Sequence, residues 1–172
     1  MSKNKKNKPQ FDLFSDNTAD KKPVKRELEE SPELKEMAER IIATQMLLIA
    51  PAKVGYILVS PYISKTNPCR VLLCSQELTH FSGFNYLIEI SIDVWTALDQ
   101  DLQEILLHHL LLHILPLMNE RTGDYDFKLR KPDFVAFKTI LNKYGTDWKD
   151  QIKLSLSSLY NLTPAQEDNC KL

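Results

Sequence analysis

Ile105-Leu106-Leu107-His108-His109-Leu110-Leu111-Leu112-His113-Ile114-Leu115-Pro116 is part of the longest apolar run in the chain, and three histidines interrupt it. Asp99 stands ahead of it as an N-cap, with Asp101 and Glu104 near the positive end of the helix dipole. The pattern predicts a helix from Asp99 to about Leu115, stopped by Pro116. Apolar residues occupy nearly every face, so the helix belongs at the centre of a fold and not on its surface. The run is too short and too polar to span a bilayer.

Upstream of this helix the periodicity changes from helical to alternating. Tyr86, Ile88, Ile90 and Ile92 alternate with Leu87, Glu89, Ser91 and Asp93, which predicts a strand with one well-buried face. Val54–Tyr62 and Arg70–Ser75 are two further β-rich runs, separated by turn residues at Ser64–Pro68, and read as an antiparallel pair. Ser82-Gly83 marks a turn, with His80 beside it as an exposed residue. Ser31-Pro32-Glu33 starts a first helix, with Leu34, Met37, Ala38, Ile41, Ile42, Met46 and Ile49 at helical spacing and Pro51 as its stop. Downstream, Asn119–Lys128 reads as a loop. Pro132 opens a helix bearing Phe134, Phe137, Ile140, Leu141 and Tyr144, closed by Gly145. A last amphipathic helix spans about Asp147–Leu159.

The expected class is therefore α+β: a small antiparallel sheet of about three strands on a central apolar helix, with flanking helices. The 172 residues suit one domain, assigned to residues 31–163, between a disordered basic tail at 1–30 and a flexible C-terminal tail at 164–172. The net charge of −1 argues against a protein that coats nucleic acid through bulk electrostatics. Residues 1–26 nevertheless hold eight Lys or Arg against three Asp, so a weak DNA contact by the tail is an expectation. Cys69, Cys74 and Cys170 lack metal-type spacing and suit a reducing compartment, and the polar, Lys-rich start of the chain has no apolar segment of a signal peptide. The expected location is the cytoplasm.

Two features carry function. The first is Gln10-Phe11-Asp12-Leu13-Phe14, an apolar island in the polar tail. It resembles the pentapeptide by which bacterial polymerases and repair proteins hold the β sliding clamp: Gln, any residue, Ser or Asp, Leu, then Phe or Leu. The resemblance implies that Leu13 and Phe14 fill an apolar pocket, each burial contributing ~1.5–3 kcal/mol before ordering costs. Gln10 would fix the register with amide hydrogen bonds, and Asp12 completes the pattern. Docking of these side chains on the protein's own domain, or on a different partner, is the alternative.

The second is the histidine helix. On one helix, His109 and His113 lie four residues apart and project from one face, where two imidazoles can share a metal. A zinc peptidase needs H-E-x-x-H, in which the Glu takes a proton from zinc-bound water. Here that position is Leu110. Val54-Gly55-Tyr56-Ile57, Gly83-Phe84-Asn85-Tyr86, His109–Ile114 and Lys128–Phe134 leading to Tyr144-Gly145 together resemble the metallopeptidases common in bacteriophage genomes, a compact zincin-like family similar to SprT and Spartan-type proteases. The resemblance implies a third zinc ligand just before the Asp of the later segment, and that place is Pro132. His109, His113 and Asp133 remain as implied metal residues, so the cofactor is none or zinc.

Three roles stay open for the histidines: buried core residues, a structural metal site that also draws on Asp133 or His108, and hydrolysis with Glu104 or Asp133 as a rearranged base. Glu104, one turn before His108, is better placed to orient an imidazole. The leading expectation is a clamp-binding accessory protein with a degenerate metallopeptidase-like domain and no catalytic residues. It would inhibit host replication or recruit the domain to replicating DNA. An active zinc metallopeptidase and a regulatory interaction module without clamp binding are the alternatives.

Overall fold

The computed structural model describes residues 25–132 and 136–170. Gln10, Asp12, Leu13, Phe14 and Asp133 lie outside the described residues. The order is β1 (Glu27–Glu30), α1 (Pro32–Gln45), β2 (Val54–Ser60), β3 (Cys69–Leu73), α2 (Gln76–Ser82) and β4 (Tyr86–Ser91). There follow α3 (Ile92–Ala97), α4 (Gln100–Leu111), β5 (Ile114–Met118), β6 (Tyr125–Leu129), α5 (Lys138–Tyr144), α6 (Trp148–Tyr160) and α7 (Pro164–Glu167). The α+β class is as expected. The main sheet has four strands in the order β1-β2-β4-β3, and β5 and β6 form a separate antiparallel ribbon.

The strand pairing differs from the sequence reading. β2 and β3 do not pair with each other; β4 lies between them, parallel to β2 and antiparallel to β3. A central strand must be covered on both faces, and β4 meets that demand: Tyr86, Ile88, Ile90 and Ser91 are fully buried. Its two polar side chains are satisfied. Glu89 accepts from Arg70 Nε of β3 at 2.7 Å, and Ser91 Oγ accepts from the Ile63 amide at 2.9 Å. The parallel β2–β4 pair needs a long crossover, which β3 and α2 occupy. β1, all exposed and three-quarters glutamate, covers the outer edge of β2 and begins ahead of the expected domain start.

Side-chain caps start α1 and α4. Ser31 accepts from the Leu34 amide at 3.2 Å and Pro32 opens α1, as the sequence indicates. Met46, in the left-handed region at φ 50°, ends α1 ahead of Pro51. Asp99 accepts from the Leu102 amide at 2.8 Å to start α4, while Gln103 Nε2 donates to the Trp95 carbonyl and ties α4 to α3. α4 buries Leu102, Leu106, Leu107 and Leu110–Leu111 together with two histidines, as its sequence predicts for a central element.

α4 ends at Leu111, earlier than Leu115. Pro116 has no amide hydrogen to continue a helix, and from Ile114 the chain extends to pair with β6. The segment read as a loop thus contains half of a hairpin, whose turn holds Gly123 at φ 75°. Tyr86 Oη donates to the Lys128 carbonyl at 2.8 Å and fastens the ribbon to the main sheet. α2 was likewise missed; its N-cap is Ser75, Gly83 closes it at φ 76°, and His80 on it is exposed as expected. Gly145 closes α5 and α6 starts one residue after Asp147, as read from the sequence, but α5 begins at Lys138 with Phe137 as its N-cap and not at Pro132.

Candidate metal site and histidine cleft

His108 and His109 are adjacent in sequence and both fully buried, but they face different neighbours. His108 packs edge-on to Tyr144, with Nδ1 3.4 Å from the tyrosine hydroxyl. His109 lies in an aromatic box: its ring centroid is 5.1 Å from His113, 5.3 Å from Phe137 and 5.2 Å from Trp148. His108 is therefore not grouped with the other two. The helix supplies only His109, because His113 falls in the turn after α4, and the i, i+4 spacing on one helical face does not hold. The two rings meet all the same, since the turn folds back toward the last helical residues.

His113 is oriented by backbone. Its Nδ1 is 2.8 Å from the Arg130 carbonyl, and a carbonyl can only accept, so Nδ1 carries the hydrogen and Nε2 holds the lone pair. The Arg130 amide in turn donates to the His113 carbonyl at 2.7 Å. This reciprocal clamp sets the tautomer as an outer-shell carbonyl does for a metal-binding imidazole. Neither His109 Nδ1 nor His109 Nε2 has a hydrogen-bond partner among the described residues, and the same holds for His108 Nε2 and Trp148 Nε1. Each such group costs about 1–3 kcal/mol if nothing satisfies it.

The two imidazoles open on a cleft of about 320 Å³ between α4, the edge strand β3 and the end of β6. Cys69, Val71, Leu110, Leu129 and Pro132 share its wall with them. Leu110 and Pro132 thus stand beside the histidine pair, at the positions where the family resemblance implies a base and a third ligand. Glu104 does not orient an imidazole. Its carboxylate lies 3.9 Å from Arg40 of α1, which draws it to the outer face of the helix. Glu89, the one buried carboxylate among the described residues, is held by Arg70.

Electrostatics keep the imidazoles neutral. Burial, then His113, Lys149 and His108, push His109 down to about 3. Burial, then Lys143, push His108 down to about 4. Burial also lowers His113, against the opposing effect of the Arg130 carbonyl. Cys69 is a buried thiol raised to about 12 by desolvation, and all three cysteines are free.

The donors fit a metal in part. His109 brings nitrogens without partners and His113 a lone pair aimed by its backbone clamp, but no group of three potential ligands occurs among the described residues. Sequence reasoning found the pair and the two substituted positions. It missed Arg130, Trp148 and Tyr144 as partners of the histidines, because those contacts are made only in the folded chain.

A mixed sheet, a buried helix that brings His109 against His113 of the following turn, and a cleft along the sheet edge make up an α+β domain. The family described as "Putative phage metallopeptidase" matches residues 26–155, most of the chain, and this protein belongs to that family. The match begins next to β1 and so takes in the strand that the sequence reading left out. Neither the curated proteins nor the solved structures give a match. Among the described residues no helix is long and apolar enough to cross a membrane.

Proposed function

We propose that this protein is a non-hydrolytic member of the phage metallopeptidase family that acts by binding, with its tail peptide docking on a bacterial β sliding clamp. One observation supports the first half: Leu110 and Pro132, which hold the positions where the family resemblance implies a base and a third ligand, both line the histidine cleft. A leucine takes no proton from water, and a proline offers a metal neither nitrogen nor oxygen from its side chain. His109 and His113 remain and would hold a metal if Asp133 supplied a third donor; a bound zinc would then polarise water or simply brace the fold. The metal-binding reading is favoured by the partnerless nitrogens of His109 and the fixed tautomer of His113.

The clamp half rests on sequence. Gln10, Asp12, Leu13 and Phe14 match every constrained position of the clamp-binding pattern and sit in a polar, Lys-rich stretch. Leu13 and Phe14 anchor, Gln10 sets register, and the flanking lysines meet DNA threaded through the ring. Docking there would either occupy a pocket that polymerases need or bring the domain to replicating DNA. A fluorescent peptide of residues 7–17 titrated with bacterial clamp tests this. Saturable micromolar binding, abolished by Phe14→Ala, is expected; no saturation, or binding indifferent to that change, refutes it. For the metal, zinc at one per chain that is lost in both His109→Ala and His113→Ala supports a site. Zinc retained in either variant places it elsewhere.

A further inference from the structure

A second groove, of about 470 Å³, is lined by Gln45, Arg130, Lys138, Thr139, Asn142 and Lys143. We propose that this groove binds the phosphate backbone of a nucleic acid, a contact independent of both the clamp peptide and any metal. Every lining side chain is a cation or carries a hydrogen-bond donor. All but Gln45 are exposed, so a polymer can reach them.

Two of the three cations are positioned in advance by aromatic rings. The Arg130 guanidinium lies 5.3 Å from the Phe137 centroid, and Lys143 Nζ 4.6 Å from that of Tyr144. Such stacking removes part of the rotamer freedom that a long cationic side chain would otherwise lose on binding. The charge distribution of the domain points the same way. Residues 27–39 carry six glutamates and one lysine, whereas residues 128–143 carry five cations and one aspartate, a segregation that the net charge of −1 conceals.

Phosphate oxygens suit this donor set better than carboxylates on a peptide. A guanidinium fork, an ammonium and neutral hydroxyl and amide donors are the groups that hold a phosphodiester chain in register, and its charges recur at fixed spacing. The cations meet phosphates whatever the bases, so binding is expected to depend weakly on sequence and strongly on salt.

The test is anisotropy of labelled single-stranded DNA with the full-length protein, tail intact, across a salt series. Lys138→Glu/Lys143→Glu is expected to weaken binding about tenfold at low salt and to reduce the slope of log K against log salt by about one per lysine. The neutral pair Lys138→Gln/Lys143→Gln should give a smaller loss in the same direction, with an unchanged urea midpoint as the folding control. Unaltered affinity in both double variants overturns the proposal. So does complete displacement of DNA by orthophosphate at matched ionic strength, which would make this a free-phosphate site, or by polyglutamate, which would make it an acidic-peptide site.

Discussion

Phe137 touches members of two regions built on opposite principles. In one, His109 lies 1 % exposed among Trp148, His113 and Phe137, with its charge suppressed by burial. In the other, Arg130, Lys138 and Lys143 are exposed to solvent. Arg130 belongs to both, because its carbonyl orients His113 while its guanidinium lies over the Phe137 ring. The family match covers both regions. Recognition of a polymer belongs to the exposed one, where a charge can be reached.

The contrast can be broken most severely at Phe137 itself. Phe137→Ala should cost about 3–5 kcal/mol in urea denaturation, since the ring is 1 % exposed and touches both imidazoles and Arg130. A loss under 1 kcal/mol would show that the two regions are not supported by one residue. Next in size is the response to acid. His108 and His109 titrate at about 4 and about 3 in the folded chain against an ordinary 6.5, so the unfolded chain binds the extra protons. Stability is therefore greatest above pH 6.5 and falls toward pH 3, with a slope of up to about 1.4 kcal/mol per pH unit for each imidazole. His109→Leu should flatten that slope and raise neutral-pH stability of metal-free protein by about 1 kcal/mol or more, because it removes nitrogens that have no partner among the described residues. A slope unchanged by His109→Leu would place the acid sensitivity elsewhere.

A sharper probe of the cleft is Pro132→His, which puts an imidazole where the cleft has a ring without donors. Zinc affinity should rise at least about tenfold, near 1.4 kcal/mol, in competition with a chromogenic chelator. No gain would mean that position 132 does not reach the metal that His109 and His113 would share. The smallest effect belongs to the groove: Lys138→Ala and Lys143→Ala should each shift stability by no more than about 0.5 kcal/mol, since both side chains are exposed.

How much of this was visible in the sequence follows the same division. α1, α4, α6 and β4 were legible because a dense apolar pattern, flanked by Ser31, Asp99 or Asp147, leaves little choice of conformation. The parallel pairing of β2 with β4 was not, because turn residues at 64–68 suggest a hairpin, and only the burial of both faces of β4 decides its place in the middle. The ribbon was missed for a different reason. Tyr125, Phe127 and Leu129 do alternate, but between charged neighbours and with little burial, so the signal is weak until Tyr86 fastens it. His109 and His113 could be named from spacing and from family likeness. That His113 leaves the helix, that Arg130 clamps it and that Glu104 turns to Arg40 depend on contacts across 17 to 64 positions of chain, which no local pattern encodes.

Proteolysis tests the central claim most directly. Zinc-loaded full-length protein is incubated with an unfolded protein substrate, with and without chelator, beside His109→Ala and a Leu110→Glu/Pro132→His variant. The account predicts no chelator-sensitive cleavage by the natural sequence, whatever the double variant does. Cleavage by the natural sequence that chelator and His109→Ala both abolish would contradict it.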